Sequence, residues 1–157
     1  MAFNVFISHS VSDLNVVYQF KYWLEVNGIG VYVADYQPQL GISLPVKIAN
    51  AIKQTDCVIA ILTTYGDRSP WVNQEIGYAK AAGKLVIPVI EEGVDLKGFV
   101  ADVEYITFQS YDPATAITNV INYLTKLKAT KEQQQTLQAG LLVLFGIMAL
   151  AAISQKQ

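Results

Sequence analysis

Apolar residues in the first 128 positions alternate between short continuous runs and longer stretches with a helical repeat. "NVFIS" (4–8) is a short β-rich run. In "DLNVVYQFKYWLEVNG" (13–28) Leu14, Val17, Phe20, Tyr22 and Leu24 recur at helical spacing, and Gly28 is a natural stop. "GVYVA" (30–34) predicts a second strand, and the Pro/Gly-containing "DYQPQLGIS" (35–43) a loop. "LPVKIANAIKQ" (44–54) predicts a helix with Pro45 in its first turn, where a missing N–H is tolerated. "CVIAILT" (57–63) is apolar on both faces, as a central parallel strand should be.

In "SPWVNQEIGYA" (69–79) Ser69 suits an N-cap and Pro70 a first helical position, with Ile76, Ala79 and Ala82 as the buried stripe. Trp71 and Glu75, four apart, share one side of this helix near its start. "KLVIPVI" (84–90) is a fourth strand whose Pro88 removes a ladder donor and belongs toward a strand end or edge. A weak helix (94–102), a fifth strand "EYITF" (104–108) and an amphipathic helix (113–128) complete the series.

This alternation predicts an α/β fold, a flavodoxin-like five-stranded parallel sheet in the order 2-1-3-4-5 with helices on both faces. Ligands in such sheets bind at the carboxyl ends of the strands. The loops to read are therefore Ser8 to Ser10, Asp35 to Ser43, Thr63 to Trp71, and the residues after Ile90. Glu75 enters this rim from the helix after the third loop.

Composition narrows the options. The chain is 52% hydrophobic and 15% charged with net charge −2, which excludes disorder and leaves no electrostatic footprint for nucleic acid. Cys57, in a core-strand context, and the lone His9 are too few for a zinc site. The start lacks a basic segment, so no signal peptide is expected. Residues 129–136 read as a polar connector, and 137–153 as a hydrophobic helix. The uncharged run Thr136 to Ser154 is about 28 Å long as a helix, near the thickness of the hydrocarbon core. Lys126, Lys128 and Lys131 before it favour a transmembrane tail anchor on a cytoplasmic domain. The alternative is a helix docked on the domain or on another copy.

The strand ends sort the chemistry. "ISHS" and "ILTT" lack the acids of a phosphate-accepting receiver, and no glycine-rich phosphate loop or GxSxG elbow occurs. What remains is one carboxylate beside an aromatic. That set suits cleavage of nicotinamide from NAD+, whose cationic leaving group needs no protonation by a second carboxylate. A single Glu can stabilise the oxocarbenium-like transition state, and a Trp can stack on a base. The same spacing also describes plain packing beside a solvated charge.

"NVFISHSVSD" resembles the opening box of Toll/interleukin-1 receptor (TIR) domains. Asp35 to Ile52, with the pattern D-x5-G-x-S-L-x-x-K-I-x-x-A-I, is similar to the loop and helix after their second strand. "CVIAILTTYGDRSPWVNQEIGYA" resembles their third strand and following helix, with S-x-W-x-x-x-E at Ser69, Trp71 and Glu75. "GKLVIPVI" matches the fourth strand. The resemblance spans residues 3 to 128 and is closest to the prokaryotic, NAD-cleaving style.

It implies a TIR domain over 1–128 with Glu75 catalytic and Ser8, His9, Asp35 and Trp71 binding substrate. NAD+ would be the substrate, with no metal or cofactor, and the products nicotinamide and ADP-ribose or a cyclic ADP-ribose signal in antiphage defence. It also implies self-association, for which the loop Tyr36 to Ser43 is the candidate contact. "YQPQLG" stands where many relatives have adjacent Pro-Gly, and Val72 where many have Cys. Two other readings stay open: a non-enzymatic TIR–TIR scaffold, and a nucleoside deoxyribosyltransferase-like enzyme. Plainer roles exist for each residue: His9 hydrogen-bonded in its loop, Ser8 and Ser10 satisfying strand-end backbone, and Asp35 in a turn. Tyr65, Asp67 and Arg68 read as a solvated loop.

Overall fold

The computed structural model describes residues 2–34, 40–41, 43–64, 69–95 and 103–154, with 145–154 as backbone alone. Strands β1 (Phe3–Ser8), β2 (Ile29–Val33), β3 (Cys57–Leu62), β4 (Leu85–Glu91) and β5 (Ile106–Phe108) form one parallel sheet. Its order is β2-β1-β3-β4-β5, the flavodoxin-like order that the sequence predicts. The helices are α1 (Leu14–Val26), entered through a 3-10 turn at Val11–Asp13, then α2 (Leu44–Gln54), α3 (Pro70–Ala81) and α4 (Ala114–Ser154).

β3 lies at the sheet centre because all six of its residues are buried, leaving no face for water. Strand alternation divides the core in two. Phe6, Val58, Ala60, Leu62, Val86 and Ile90 pack with Ile48 and Ile52 of α2 and Val72, Ile76 and Ala79 of α3. Val5, Ile7, Ile59, Ile61 and Val89 face the other way, where Val17, Phe20 and Leu24 of α1 are buried. There the rings of Phe20 and Phe108 meet edge-on, 6.5 Å apart. Each such apolar side chain removed from water contributes about 1.5–3 kcal/mol. Burial also pushes the Cys57 thiol up to about 12, so it stays protonated and inert.

The helix boundaries follow local chemistry. α1 ends where Gly28 takes a φ of 72° and its N–H reaches the Glu25 carbonyl at 3.0 Å. α3 starts at Pro70 as expected, but Ser69 makes no side-chain cap bond, so the preset φ of proline opens the helix. The buried stripe of α3 also differs from the expected one. It is Val72, Glu75, Ile76 and Ala79, and Ala82 is exposed.

Pro88 pairs opposite Ala60 in the middle of β4 rather than at its end. β5 joins β4 only from Val89 onward, so the outer side of β4 is still open at Pro88. The expected weak helix at 94–102 lies mostly outside the described residues.

The chain divides into two compact units, Met1–Ile121 and Asn122–Gln157. In the second, α4 continues through 129–136 as helix. The expected transmembrane anchor needs correction. Among the described residues no helix is long and apolar enough to cross a membrane. Membrane attachment is therefore unsupported.

Candidate active site

The carboxyl ends of β1 and β3 and the first turns of α3 converge on one rim. β1 delivers Ser8 and His9, both buried. Ser8 shares its sheet face with Phe6, the α2–α3 side, and its Oγ has no hydrogen-bond partner. The His9 ring lies between two backbone carbonyls, with Nδ1 2.7 Å from Ser10 O and Nε2 3.3 Å from Ala34 O. Both partners are carbonyl oxygens, which only accept, so the tautomer decides which of the two contacts is a hydrogen bond. His9 thus sits between the backbone after β1 and the backbone at the end of β2. Ser10 caps the 3-10 turn by accepting from the Ser12 N–H at 3.4 Å, the backbone role anticipated for it.

α3 carries the pair that opened the chemical reading. Trp71 is 39% exposed, whereas Glu75 is 2% exposed and sits in the helix's buried stripe. Taking a carboxylate out of water costs several kcal/mol before partners compensate. A plain solvated helix charge would not occupy this place. Glu75, Trp71, Gln74 and Tyr78 line a narrow recess closed from the α2 side by Pro45 and Ile48. A larger hollow, about 640 Å³, lies away from it between β2 and α2, beside Asn4, Tyr32 and Asn50, and contains none of the expected site residues.

The structure therefore brings Trp71 and Glu75 into one recess and puts Ser8 on the same side of the sheet. His9 is at the rim but engaged with backbone. Asp35 lies outside the described residues, as do most of the loop Tyr36 to Ser43 and Tyr65, Asp67 and Arg68.

Sequence reasoning missed a second group on the opposite side of the sheet. Asp13 is 6% exposed and accepts a 2.7 Å hydrogen bond from Thr63 Oγ1, while its Oδ2 is buried without a partner. Burial raises the Asp13 carboxyl above its ordinary value, against the lowering effect of the Thr63 bond. Glu91, the last residue of β4, accepts from the Thr64 N–H at 2.7 Å, from Thr64 Oγ1 at 3.0 Å and from Ser110 Oγ. Burial alone would raise Glu91, but these three donors outweigh it and hold its carboxyl below the usual range. The available signal was slight: single acids, one between apolar Val11 and Leu14 and one closing an apolar strand.

Two solved structures place this architecture. The TIR domain of the Toll-related receptor TRR-2 from Hydra magnipapillata is similar at 18% identity and TM-score 0.58, covering 77% of this chain and 97% of that one. The TIR domains of the activated Roq1 resistosome, which directly recognises the effector XopQ, are similar at 19% identity and TM-score 0.50, covering 79% and 82%. At such identities the likeness is one of fold. No curated protein matches the chain significantly. Residues 5–121 match the TIR domain family, and with that span, strand order and rim the chain belongs to the TIR-domain family.

Proposed function

We propose that this TIR domain cleaves the bond between nicotinamide and ribose in NAD+, with Glu75 as the catalytic residue. The observation that carries the reading is the burial of Glu75 on the inner stripe of α3, one turn beyond a half-exposed Trp71. Nicotinamide in NAD+ is cationic and leaves neutral, taking the bonding pair onto its ring nitrogen. The ribose C1′ is left as an oxocarbenium-like centre. A carboxylate held out of water stabilises that charge far better than a solvated one, and it can orient the ribose hydroxyls. Water adding at C1′ gives ADP-ribose and releases a proton. Attack by an adenine nitrogen in place of water gives a cyclic ADP-ribose.

In this reading the leaving group needs no acid, so one carboxylate suffices. Trp71 presents its face to a base. The Ser8 hydroxyl, buried without a partner, offers a hydrogen bond to the substrate, and His9 and Asp35 complete the first two loops around it. The activity belongs in the cytoplasm and to prokaryotic defence signalling, through NAD+ depletion or a cyclic messenger.

Nicotinamide release from NAD+ at high protein concentration, followed by chromatography, tests this. The Glu75→Gln variant is expected to lose at least a hundredfold, about 3 kcal/mol of transition-state stabilisation, with an unchanged circular dichroism spectrum. Equal turnover in the variant removes Glu75 from the mechanism, and no release by the unaltered chain refutes the activity.

A second reading, a self-associating TIR module without catalysis, is favoured by one feature of α1. Leu14, Tyr18, Tyr22 and Val26 recur every fourth residue on its outer face, and Tyr22 is 60% exposed. Light scattering that shows assembly without nicotinamide release supports this second reading.

A further inference from the structure

The two threonines that leave β3 are each held by an acid from a different element. Thr63 donates to Asp13, at the start of α1, and Thr64 donates twice to Glu91, at the end of β4. Glu91 also accepts from Ser110, which lies between β5 and α4. The ends of β3, β4 and β5 and the entry to α1 are thereby tied at one dipeptide. That dipeptide immediately precedes the chain running into α3, whose second turn carries Glu75.

We propose that Asp13 and Glu91 are positioning residues, which clamp Thr63 and Thr64 and so fix the carboxyl end of β3, beside the rim to which Glu75 belongs. The proposal rests on the reading of Glu75 as the catalytic group. Its geometry is that of paired charge-assisted hydrogen bonds, the stronger kind, on two adjacent residues. A carboxylate accepting from a hydroxyl inside the protein holds that hydroxyl in one rotamer, and through it the strand end that carries the threonine.

The two acids are also electrostatically unlike. Asp13 is buried, with His9 and Glu91 the charged or titratable groups facing it, and its carboxyl is raised. Glu91 accepts from three donors, and its carboxyl is lowered. Glu91 therefore stays ionised well into the acid range, and the Thr64 side of the clamp persists there. A misplacement of about 1 Å in a catalytic group costs on the order of a hundredfold, so a modest slackening here is readable in rate.

The test uses the full chain and four variants. Thr63→Val keeps shape and removes the donor, whereas Thr63→Ser restores it. Asp13→Asn keeps an acceptor for Thr63, and Glu91→Leu removes all three of the acceptor's bonds. Nicotinamide release is expected to fall about tenfold in kcat, with KM little changed, in Thr63→Val and Glu91→Leu. Thr63→Ser and Asp13→Asn should stay within about twofold of the unaltered chain. Amide hydrogen exchange at residues 73–77 is expected to quicken in the first pair only.

Thr63→Val with the rate and exchange of the unaltered chain overturns the clamp. So does a Thr63→Ser variant as impaired as Thr63→Val. If the unaltered chain releases no nicotinamide, the proposed activity falls, and the exchange at 73–77 decides the clamp by itself.

Discussion

The two ends of the sheet treat polar groups differently. At the amino end they are spent on backbone. The Asp56 carboxylate accepts from the Asn4 N–H at 2.8 Å, Thr55 Oγ1 donates to Ile52 O at 2.9 Å, and Lys84 Nζ reaches the carbonyls of Lys53 and Thr55 at 2.9 and 2.5 Å. At the carboxyl end they are buried and only partly satisfied. Of the buried polar residues described, Ser8, His9, Asp13, Thr63 and Glu75 belong to this end and Thr55 alone to the other. Ser8 Oγ and Asp13 Oδ2 have no hydrogen-bond partner. A helix end capped by lysine is a stability device. A buried acid with an unused oxygen is a cost to stability, and such costs gather where a fold keeps groups ready for a ligand.

That contrast breaks most visibly at Glu75. The Glu75→Gln variant should lose at least a hundredfold in nicotinamide release while melting no lower than the unaltered chain, because a neutral amide is easier to bury than a carboxylate. A large drop in melting temperature would make Glu75 a stabilising residue and erase the difference between the two ends. The opposite behaviour is expected of Lys84→Met, which keeps the aliphatic stem and loses both cap bonds. Its unfolding free energy, from urea titration, should fall by about 2 kcal/mol with nicotinamide release unchanged.

Smaller effects sharpen the contrast. Trp71 is 39% exposed, so Trp71→Ala should cost less than about 1 kcal/mol in stability yet raise KM severalfold. The smallest signal comes from Asp13. Its folded-state carboxyl is raised, so the folded protein binds that proton more tightly than the unfolded chain does. The ionised acid then costs stability above its folded value, and the cost fades as pH falls toward the ordinary carboxylate range. Asp13→Asn is accordingly expected to melt slightly higher at pH 7, with the gain vanishing near pH 4. Differential scanning calorimetry across that range checks the sign.

Much of the fold was legible because strands buried on both faces leave little choice of pattern. "CVIAIL" could only be central, and the order followed from the strand–helix alternation read along the chain. The pair Trp71 and Glu75 was legible from helical spacing. The depth of Glu75 was not, because the stripe was read through Ala82 when Val72, Ile76 and Ala79 define it and put Glu75 inside. Asp13 and Thr63 went unseen for another reason: their bond joins positions 50 apart, and no local period encodes it. The tail shows the converse limit. A run of apolar letters suggested a membrane span, but among the described residues no helix is long and apolar enough to provide one.

The chain's one cysteine is itself a built-in reporter. Cys57 is 1% exposed, paired on both sides within the sheet, and its thiol is pushed up to about 12. Thiol reagents attack the thiolate, so the folded protein should be silent toward them at neutral pH. Labelling then waits for β3 to leave its place between β1 and β4, and its rate counts openings of the sheet centre rather than motions of the rim. A cysteine introduced at an exposed rim position would react against that silent background, so motions at the carboxyl end of the sheet and global unfolding could be timed separately in one molecule.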